Sequence, residues 1–260
     1  MDATSSPLTL PRSVLLALWL DAPESGEDHV KRAARAVQGE DEPHSVSGLG
    51  APEMSLHELI TMWLDGPRSS AAVLPTPGDA AGVPAAVSPL AIEAGECVLV
   101  HTDGGAFAAV PQVEEFGSRY ERGHLVTWSV HRVTDWRTGL LGQIGSLADA
   151  ERGLRAGLQQ ATDALNALDI ARWRPDAAAA ISELRASRLG GWPAPPSVDP
   201  RRLNVLMTAS RLISIVQLAT ADDGGAVNLW QADQRSTALR EVDRMARRAL
   251  AAASTTLGSR

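Results

Sequence analysis

The chain changes character near residue 145, and this change constrains its fold more than any other feature. The first 145 residues are interrupted repeatedly by Gly and Pro, whereas the remainder is rich in Ala and Arg. In that second part, apolar residues recur every three or four positions, as on one face of a helix: Leu154, Leu158, Ala161, Leu165 and Leu168. The pattern predicts an α+β chain, with N-terminal helices and a small antiparallel sheet in residues 1–145 and an antiparallel bundle of four helices in residues 146–260.

Local signals place helices in the first part. A helix is predicted over 12–20, with Thr9 as its N-cap and Pro11 in its first turn, where a missing N–H costs nothing. Ser55 and Glu58 have the spacing of a capping box, which predicts that another helix begins there. These two signals fix helix starts without reference to the rest of the chain.

Three apolar segments predict the sheet. Residues 97–101 and 106–110 flank Asp103-Gly104, a pair of residue types that favours a hairpin turn. Residues 125–133 alternate between apolar and polar positions and are rich in β-branched side chains, which is typical of a half-buried strand. We expect three or four strands in an antiparallel sheet.

The second part contains four helical patterns, over about 147–168, from 174, over 199–219 and over 227–252. The third begins at Asp199-Pro200, a cap followed by a first-turn proline. It is apolar on nearly every side, so we expect it to be the most buried of these four helices. Short connections predict that neighbouring helices are antiparallel.

Composition favours a globular protein with a hydrophobic core over a membrane-inserted or disulfide-bonded one. A hydrophobic content of 44% is sufficient for a core, and no apolar run near the start approaches the length of a transmembrane helix. The single cysteine cannot form an internal disulfide, so we expect a cytoplasmic protein that does not insert in a membrane. Residues 1–145 carry 9 basic and 19 acidic groups, net −10, while residues 146–260 carry 15 and 12, net +3.

The Pro/Gly-rich loop 74–84 is the first candidate for a ligand site. Gly78 and Gly82 would allow the backbone to approach a ligand closely, and the Asp79 carboxylate could accept hydrogen bonds or hold a cation. No Lys or Ser follows with the spacing of a phosphate-binding loop. A rigid surface turn is the favoured interpretation, and a ligand site is the alternative.

His101 and Asp103 are the other candidate ligand-binding residues. Together with His124 or His131 they would supply two imidazoles and a carboxylate, a donor set that suits a transition metal. However, Asp before Gly is also what a hairpin turn prefers, so turn chemistry accounts for Asp103 without an ion. We therefore predict no metal and no cofactor.

Nucleophilic catalysis has little support in the sequence. Cys97 begins an apolar strand, where a buried and unreactive thiol is the usual outcome. No Gly-x-Ser-x-Gly motif is present. We assign no catalytic residue, and whether the protein is an enzyme stays open.

The last predicted helix carries a row of arginines that could bind phosphates: Arg240, Arg244, Arg247 and Arg248. Glu241 and Asp243 interrupt this row, and the chain as a whole is acidic. A solvated helix face, or a contact with the acidic first part, is the favoured interpretation. We therefore expect no nucleic-acid partner.

Three stretches of the chain carry a resemblance to a known family. They are the loop 74–84 already described, Ala94-Gly95-Glu96, and the segment from Ala150-Glu151-Arg152 to Leu168-Asp169-Ile170-Ala171-Arg172-Trp173-Arg174-Pro175. In these stretches the chain resembles a family of uncharacterised actinobacterial proteins, and the resemblance spans most of its length. Because that family has no assigned activity, cofactor or partner, the resemblance implies a cytoplasmic bacterial protein and gives a role to no residue.

Two functions remain as expectations. The first is a non-enzymatic interaction or regulatory protein, whose helical half contacts an unknown protein partner or a second copy of the chain. The second is a small-molecule-binding or metal-dependent enzyme, with its site at the sheet and the loop 74–84. The second requires this loop, His101 and His124 or His131 to converge on one concave pocket.

Overall fold

A computed structural model describes residues 9–50, 54–118, 121–168, 193–220 and 229–257. The chain divides into two compact units. The sheet unit comprises Pro11–Gly145, Pro193–Asp199 and the residues from Ser254 onward. The helical unit contains most of the described residues between Ser146 and Ala253.

The sheet unit alternates short helices with strands. Its elements are α1 (Arg12–Asp21), α2 (Glu27–Gln38), β1 (Ser45–Ser47), β2 (Met54–Ser55), α3 (Leu56–Leu64), β3 (Arg68–Val73), a 3-10 turn (Ala85–Val87), α4 (Ser88–Ala94), β4 (Cys97–Thr102), β5 (Gly105–Ser118), β6 (Glu121–Val133) and α5 (Arg137–Ile144). The predicted capping box at the start of α3 is confirmed, because Ser55 and Glu58 exchange both of its hydrogen bonds.

The described strands form one mixed six-stranded sheet in the order β2-β1-β6-β5-β4-β3. β1 runs parallel to β6, with Val46 opposite Trp128, and the other neighbours are antiparallel. The mixture of helices and sheet is as predicted, but a small and purely antiparallel sheet is wrong. β1 and β2 are too short to show alternation, and β3 is rich in Ser and Ala, so its burial overrides its weak strand propensity.

Helix α1 is the central helix of the sheet unit. Every residue from Ser13 to Leu20 is buried. The hydroxyl of Ser70 on β3 donates to the carbonyl of Ala17 over 3.1 Å, which ties the middle of the helix to the sheet. A helix buried on all sides has no solvated face, so its end groups need partners from the protein.

Two charged side chains from elsewhere in the unit supply those partners. The carboxylate of Glu96 accepts from the amide of Ser13 over 2.7 Å. Arg68 donates to the carbonyl of Leu20 over 2.5 Å and to that of Ala22 over 3.1 Å. Negative charge at the N-terminus and positive charge at the C-terminus both match the helix dipole. The predicted N-cap Thr9 is therefore wrong, since Pro11 occupies the N-cap position without a side-chain hydrogen bond.

Residues from late in the chain complete the sheet unit. Thr256 exchanges two backbone hydrogen bonds with Ser70, of 3.1 and 2.8 Å, and so covers part of the outer edge of β3. The indole of Trp19 donates to the carbonyl of Pro193 over 2.8 Å. The unit is thus continuous in space but discontinuous in sequence.

The described helices of the helical unit are α6 (Leu147–Leu168), α7 (Pro200–Thr220) and α8 (Leu229–Ser254). Arg201 of α7 pairs with Glu151 of α6 at 2.6 Å. A Cβ atom at Gly157 of α6 would lie 3.4 Å from Met245 and 3.7 Å from Leu212, so the three helices converge there. The predicted helix from 174 lies outside the described residues.

Helix α7 is less buried than its sequence predicts. Val205, Leu206, Leu212 and Ile215 are buried, but Leu203, Met207, Ile213 and Leu218 are only half-buried. Burial is more continuous in α1, where eight consecutive residues are buried. By length and composition alone α7 could also cross a membrane, a property that core helices of water-soluble proteins share.

We predict that Arg68→Met lowers the free energy of unfolding by about 2 kcal/mol, because two carbonyls at the end of α1 lose a charged donor. Urea denaturation measures the change. Lys31→Ala is the control, since this exposed lysine pairs with Glu27 on its own helix and such pairs contribute about 0.5 kcal/mol or less. Equal midpoints for Arg68→Met and the control would contradict the capping role.

Candidate functional site: the β5–β6 arm and its Asp41 anchor

Strands β5 and β6 extend well beyond the rest of the sheet. They pair without interruption from Ala106 opposite Val133 to Ser118 opposite Glu121. β4 covers β5 only as far as Ala109, and β1 covers β6 only over residues 127–129. Residues 112–118 and 121–125 therefore form a two-stranded projection, which we call the arm.

The arm displays apolar side chains to solvent. Phe116 is 44% exposed, Leu125 is 48% exposed and Val113 is 41% exposed. Phe116 lies opposite Gly123, and a Cβ atom at Gly123 would lie 2.4 Å from its ring, so the ring packs directly on the glycine backbone. Strand alternation places Phe116, Gly123 and Leu125 on the same face of the arm.

A cluster around Asp41 holds the base of the arm. The carboxylate accepts from Arg12 of α1, with Nη2 at 2.6 Å and Nε at 2.8 Å. It also lies 3.1 Å from Nδ1 of His124 on β6 and 3.3 Å from Nε2 of His44. We call Arg12, Asp41, His44, His124 and Trp128 the Asp41 cluster. One carboxylate thus links α1, the connection after α2 and β6.

Trp128 determines the protonation of His44. Its indole Nε1 can only donate, and it lies 3.1 Å from Nδ1 of His44, which must therefore accept. The remaining proton of neutral His44 then sits on Nε2 and points to Asp41. Burial lowers the pKa of His44, and the hydrogen bond to Asp41 opposes this only in part. His44 is fully buried, so the neutral ring is the form that the fold stabilises.

His124 is the accessible member of the Asp41 cluster. Its side chain is 35% exposed, whereas that of Asp41 is 11% exposed. Its backbone carbonyl accepts from the amide of Glu42 over 3.1 Å, which attaches the edge of β6 to the connection between α2 and β1. The ring and the backbone of His124 therefore fix one strand of the arm at the same point.

The loop 74–84 folds as two successive tight turns. Thr76 and Asp79 exchange backbone hydrogen bonds of 2.9 Å around Gly78, and the amide of Val83 donates to Ala80 over 3.0 Å. The carboxylate of Asp79 accepts from the backbone amide of Ala81 over 3.1 Å. A Cβ atom at Gly82 would lie 2.7 Å from Leu140, so this glycine allows the loop to pack closely on α5. Turn formation and packing account for the contacts found at these residues.

The other predicted ligand residues belong to separate groups of contacts. His101 lies 3.8 Å from Asp135, and hydrogen bonds from Arg137 lower the pKa of that carboxyl. Asp103 occupies the two-residue turn between β4 and β5, where the hydroxyl of Thr102 accepts from Gly104.

The remaining imidazoles have their own partners. His124 contacts Asp41, and His131 contacts Ser129 at 3.1 Å. In the part of the chain that the structure describes, no three His, Cys, Asp or Glu side chains form a group that could hold a metal ion.

Two further features of the sequence are explained by their contacts. The Cys97 thiol is buried, as predicted, and this burial raises its pKa. On α8, Arg244 pairs with Glu241, and Arg247 pairs with Asp243 at 2.7 Å. The arginine row is therefore partly neutralised on its own helix.

A groove beside α2 is lined by several basic residues. Its lining includes Lys31, Arg32, Arg35 and His57. Glu27 lies 3.1 Å from the Lys31 ammonium and 3.3 Å from Nε2 of His57, and the guanidinium of Arg32 lies over the ring of Trp19. These contacts are typical of the polar face of an amphipathic helix.

The fold defines an α+β protein with a mixed-sheet unit and a helical unit. The chain belongs to the Rv1486c-like family: the model for the Rv1486c-like protein, N-terminal domain, matches residues 13–139, and that for the C-terminal domain matches residues 148–251. The resemblance predicted from the sequence is thus confirmed, and this family has no assigned function. No curated protein and no solved structure matches the chain.

We predict that the protein loses stability as pH falls from about 7 to about 5, and that His44→Gln reduces this loss. Because the pKa of His44 is lower in the folded state, the unfolded chain binds more protons below about pH 6.5, and acid favours unfolding. Urea denaturation at a series of pH values measures the slope.

His131→Gln is the matched control, because His131 lies outside the Asp41 cluster. Its slope should follow that of the wild type. If the slopes of His44→Gln and the wild type coincide instead, His44 does not couple protonation to folding.

Proposed function

We propose that this protein is a non-enzymatic interaction protein and that the arm is its principal contact surface. One observation supports this most directly. Six large apolar side chains are exposed among the described residues, and three of them, Val113, Phe116 and Leu125, lie on the arm. Apolar side chains grouped on a projecting element are typical of a surface that a partner covers.

The structure that holds the arm supports the same proposal. A two-stranded hairpin is only marginally stable in water when it has no further strand or helix to pack on. Here the Asp41 cluster fixes the base of the arm through side chains from three elements. The arm therefore extends beyond the other strands of the sheet, with Phe116 and Leu125 exposed on one face. This arrangement favours a role in binding.

The helical half is a second surface within this proposal. The half-buried Leu203, Met207, Ile213 and Leu218 of α7 would contribute to this surface. The proposal includes an antiparallel bundle of four helices in this half and a cytoplasmic location for the protein. The partner is either a different protein or a second copy of the chain.

The arm proposal predicts that Phe116→Thr with Leu125→Thr abolishes partner capture. Both positions are exposed, and threonine retains strand propensity, so the variant should remain folded. The tagged protein is crosslinked in lysate of its native host, and captured proteins are quantified by mass spectrometry. We expect the wild type to enrich a partner and the variant to reduce that enrichment by about tenfold or more.

Leu141→Thr is the matched control, because Leu141 is 52% exposed but lies on α5, outside the arm. It should capture the partner as the wild type does. Equal capture by the arm variant, or no enrichment by the wild type, would exclude the arm as the contact surface.

A further inference from the structure

The backbone of β5 has an open edge along the arm. β4 pairs with β5 from Gly105 to Ala109, and no other described strand lies on that side of β5. On the other side, β1 covers β6 over residues 127–129 and the amide of Glu42 donates to the carbonyl of His124, so only residues 121–123 of β6 extend beyond these contacts. The β5 side is therefore the longer open edge, and the one better suited to an added strand.

The register identifies the groups that face this edge. β4 and β5 are joined by a two-residue turn, so Thr102 and Gly105, which close it, form a hydrogen-bonded pair. Along an antiparallel strand, the backbone N–H and C=O groups of successive residues point alternately to one side and the other. Those of Gly105 face β4, so every second residue after it, including Val113 and Glu115, directs these groups away from β6. Pro111 faces the same way but has no N–H, so it closes the inner end of the edge.

Charge distinguishes between possible occupants of the edge. Glu114 and Glu115 are adjacent and exposed, and alternation places them on opposite faces of β5. Glu115 lies 4.0 Å from Arg122, while Glu114 lies opposite Leu125 and has no ion-pair partner among the described residues. An added strand therefore meets negative charge on both of its faces.

A second copy of the chain does not suit this edge. If two β5 edges paired about a twofold axis at Glu114 or Glu115, that glutamate would lie directly opposite the same residue of the other copy. Like charges directly across a strand pair are destabilising. Lysine or arginine side chains on the added strand would instead form favourable pairs with Glu114 and Glu115.

We propose that the open edge of β5 binds an extended basic segment of a partner protein as an additional strand. This inference rests on the proposed function, since it uses the same arm, and it adds the chemistry of the partner. Backbone hydrogen bonds to Val113 and Glu115 provide affinity, and lysine or arginine residues in the segment provide specificity. Its apolar residues cover Val113 or Phe116.

The test measures peptide binding to the full chain by fluorescence anisotropy at low salt. The probe is a short labelled peptide in which Lys alternates with Val and Thr. A second peptide carries N-methyl groups on two adjacent central residues, which blocks both of its hydrogen-bonding edges, and a third has Glu in place of Lys. We expect the first peptide to bind and the other two to bind about tenfold or more weakly.

Protein variants locate the binding edge. Glu114→Lys with Glu115→Lys should weaken binding of the basic peptide by about tenfold or more. Asp65→Lys with Glu93→Lys changes the net charge equally at exposed positions outside the arm and should leave binding near that of the wild type.

Three results would each overturn the inference: no binding of the basic peptide, equal binding of its N-methylated form, or a wild-type dimer in sedimentation that Glu114→Lys with Glu115→Lys disrupts. If any of these results occurs while the Phe116 and Leu125 substitutions still abolish partner capture, the arm remains a contact surface. Only the proposed strand addition then fails.

Discussion

The position of the arm depends on one partly buried carboxylate. Asp41 follows α2 and accepts hydrogen bonds or ion pairs from α1, from the connection to β1 and from β6. The charged side chain of Asp41 is only 11% exposed. It needs such partners, because burying an unpaired charge lowers the stability of the fold by several kcal/mol. Arg12 neutralises the charge and the two histidines fill the remaining acceptor positions, so the three elements are held at one point. This arrangement fixes the direction in which β6 extends beyond β1 into the arm.

The arm combines two opposing requirements. An uncovered strand edge with exposed apolar side chains invites aggregation, and natural sheets limit this with charges and proline at the edge. Pro111, Glu114 and Glu115 are placed where they do so. The same residues also narrow the choice of partner, because only a strand of opposite charge gains from pairing there. Protection against self-association and selection of a partner can thus rest on the same side chains.

Local patterns in the sequence predicted the helices well and the sheet less well. The capping box at Ser55 and the alternation in β6 depend on neighbouring residues, so they are visible in one sequence. β3 was missed because its Ser and Ala residues become a strand only through burial. The Asp41 cluster was also missed, since its hydrogen bonds join residues up to 84 positions apart. His124 and Trp128 lie on one face of β6, but no local signal indicates that Asp41 and His44 reach that face. The loop 74–84 drew attention through Gly and Pro, which the structure uses in its two turns.

The border between the two family models is not a place to cut the gene. Severing the polypeptide after residue 145 would remove Thr256, which satisfies the backbone of Ser70, and Pro193, which accepts from the indole of Trp19. In such a fragment, the backbone of Ser70 on the edge of β3 would lose its hydrogen bonds to Thr256. The indole N–H of Trp19 on α1 would lose its acceptor. Fusing residues 193–199 and 254–257 back onto such a fragment, rather than trimming it, is the rational route to an isolated sheet unit. Sequence families and physical folding units therefore divide this polypeptide differently.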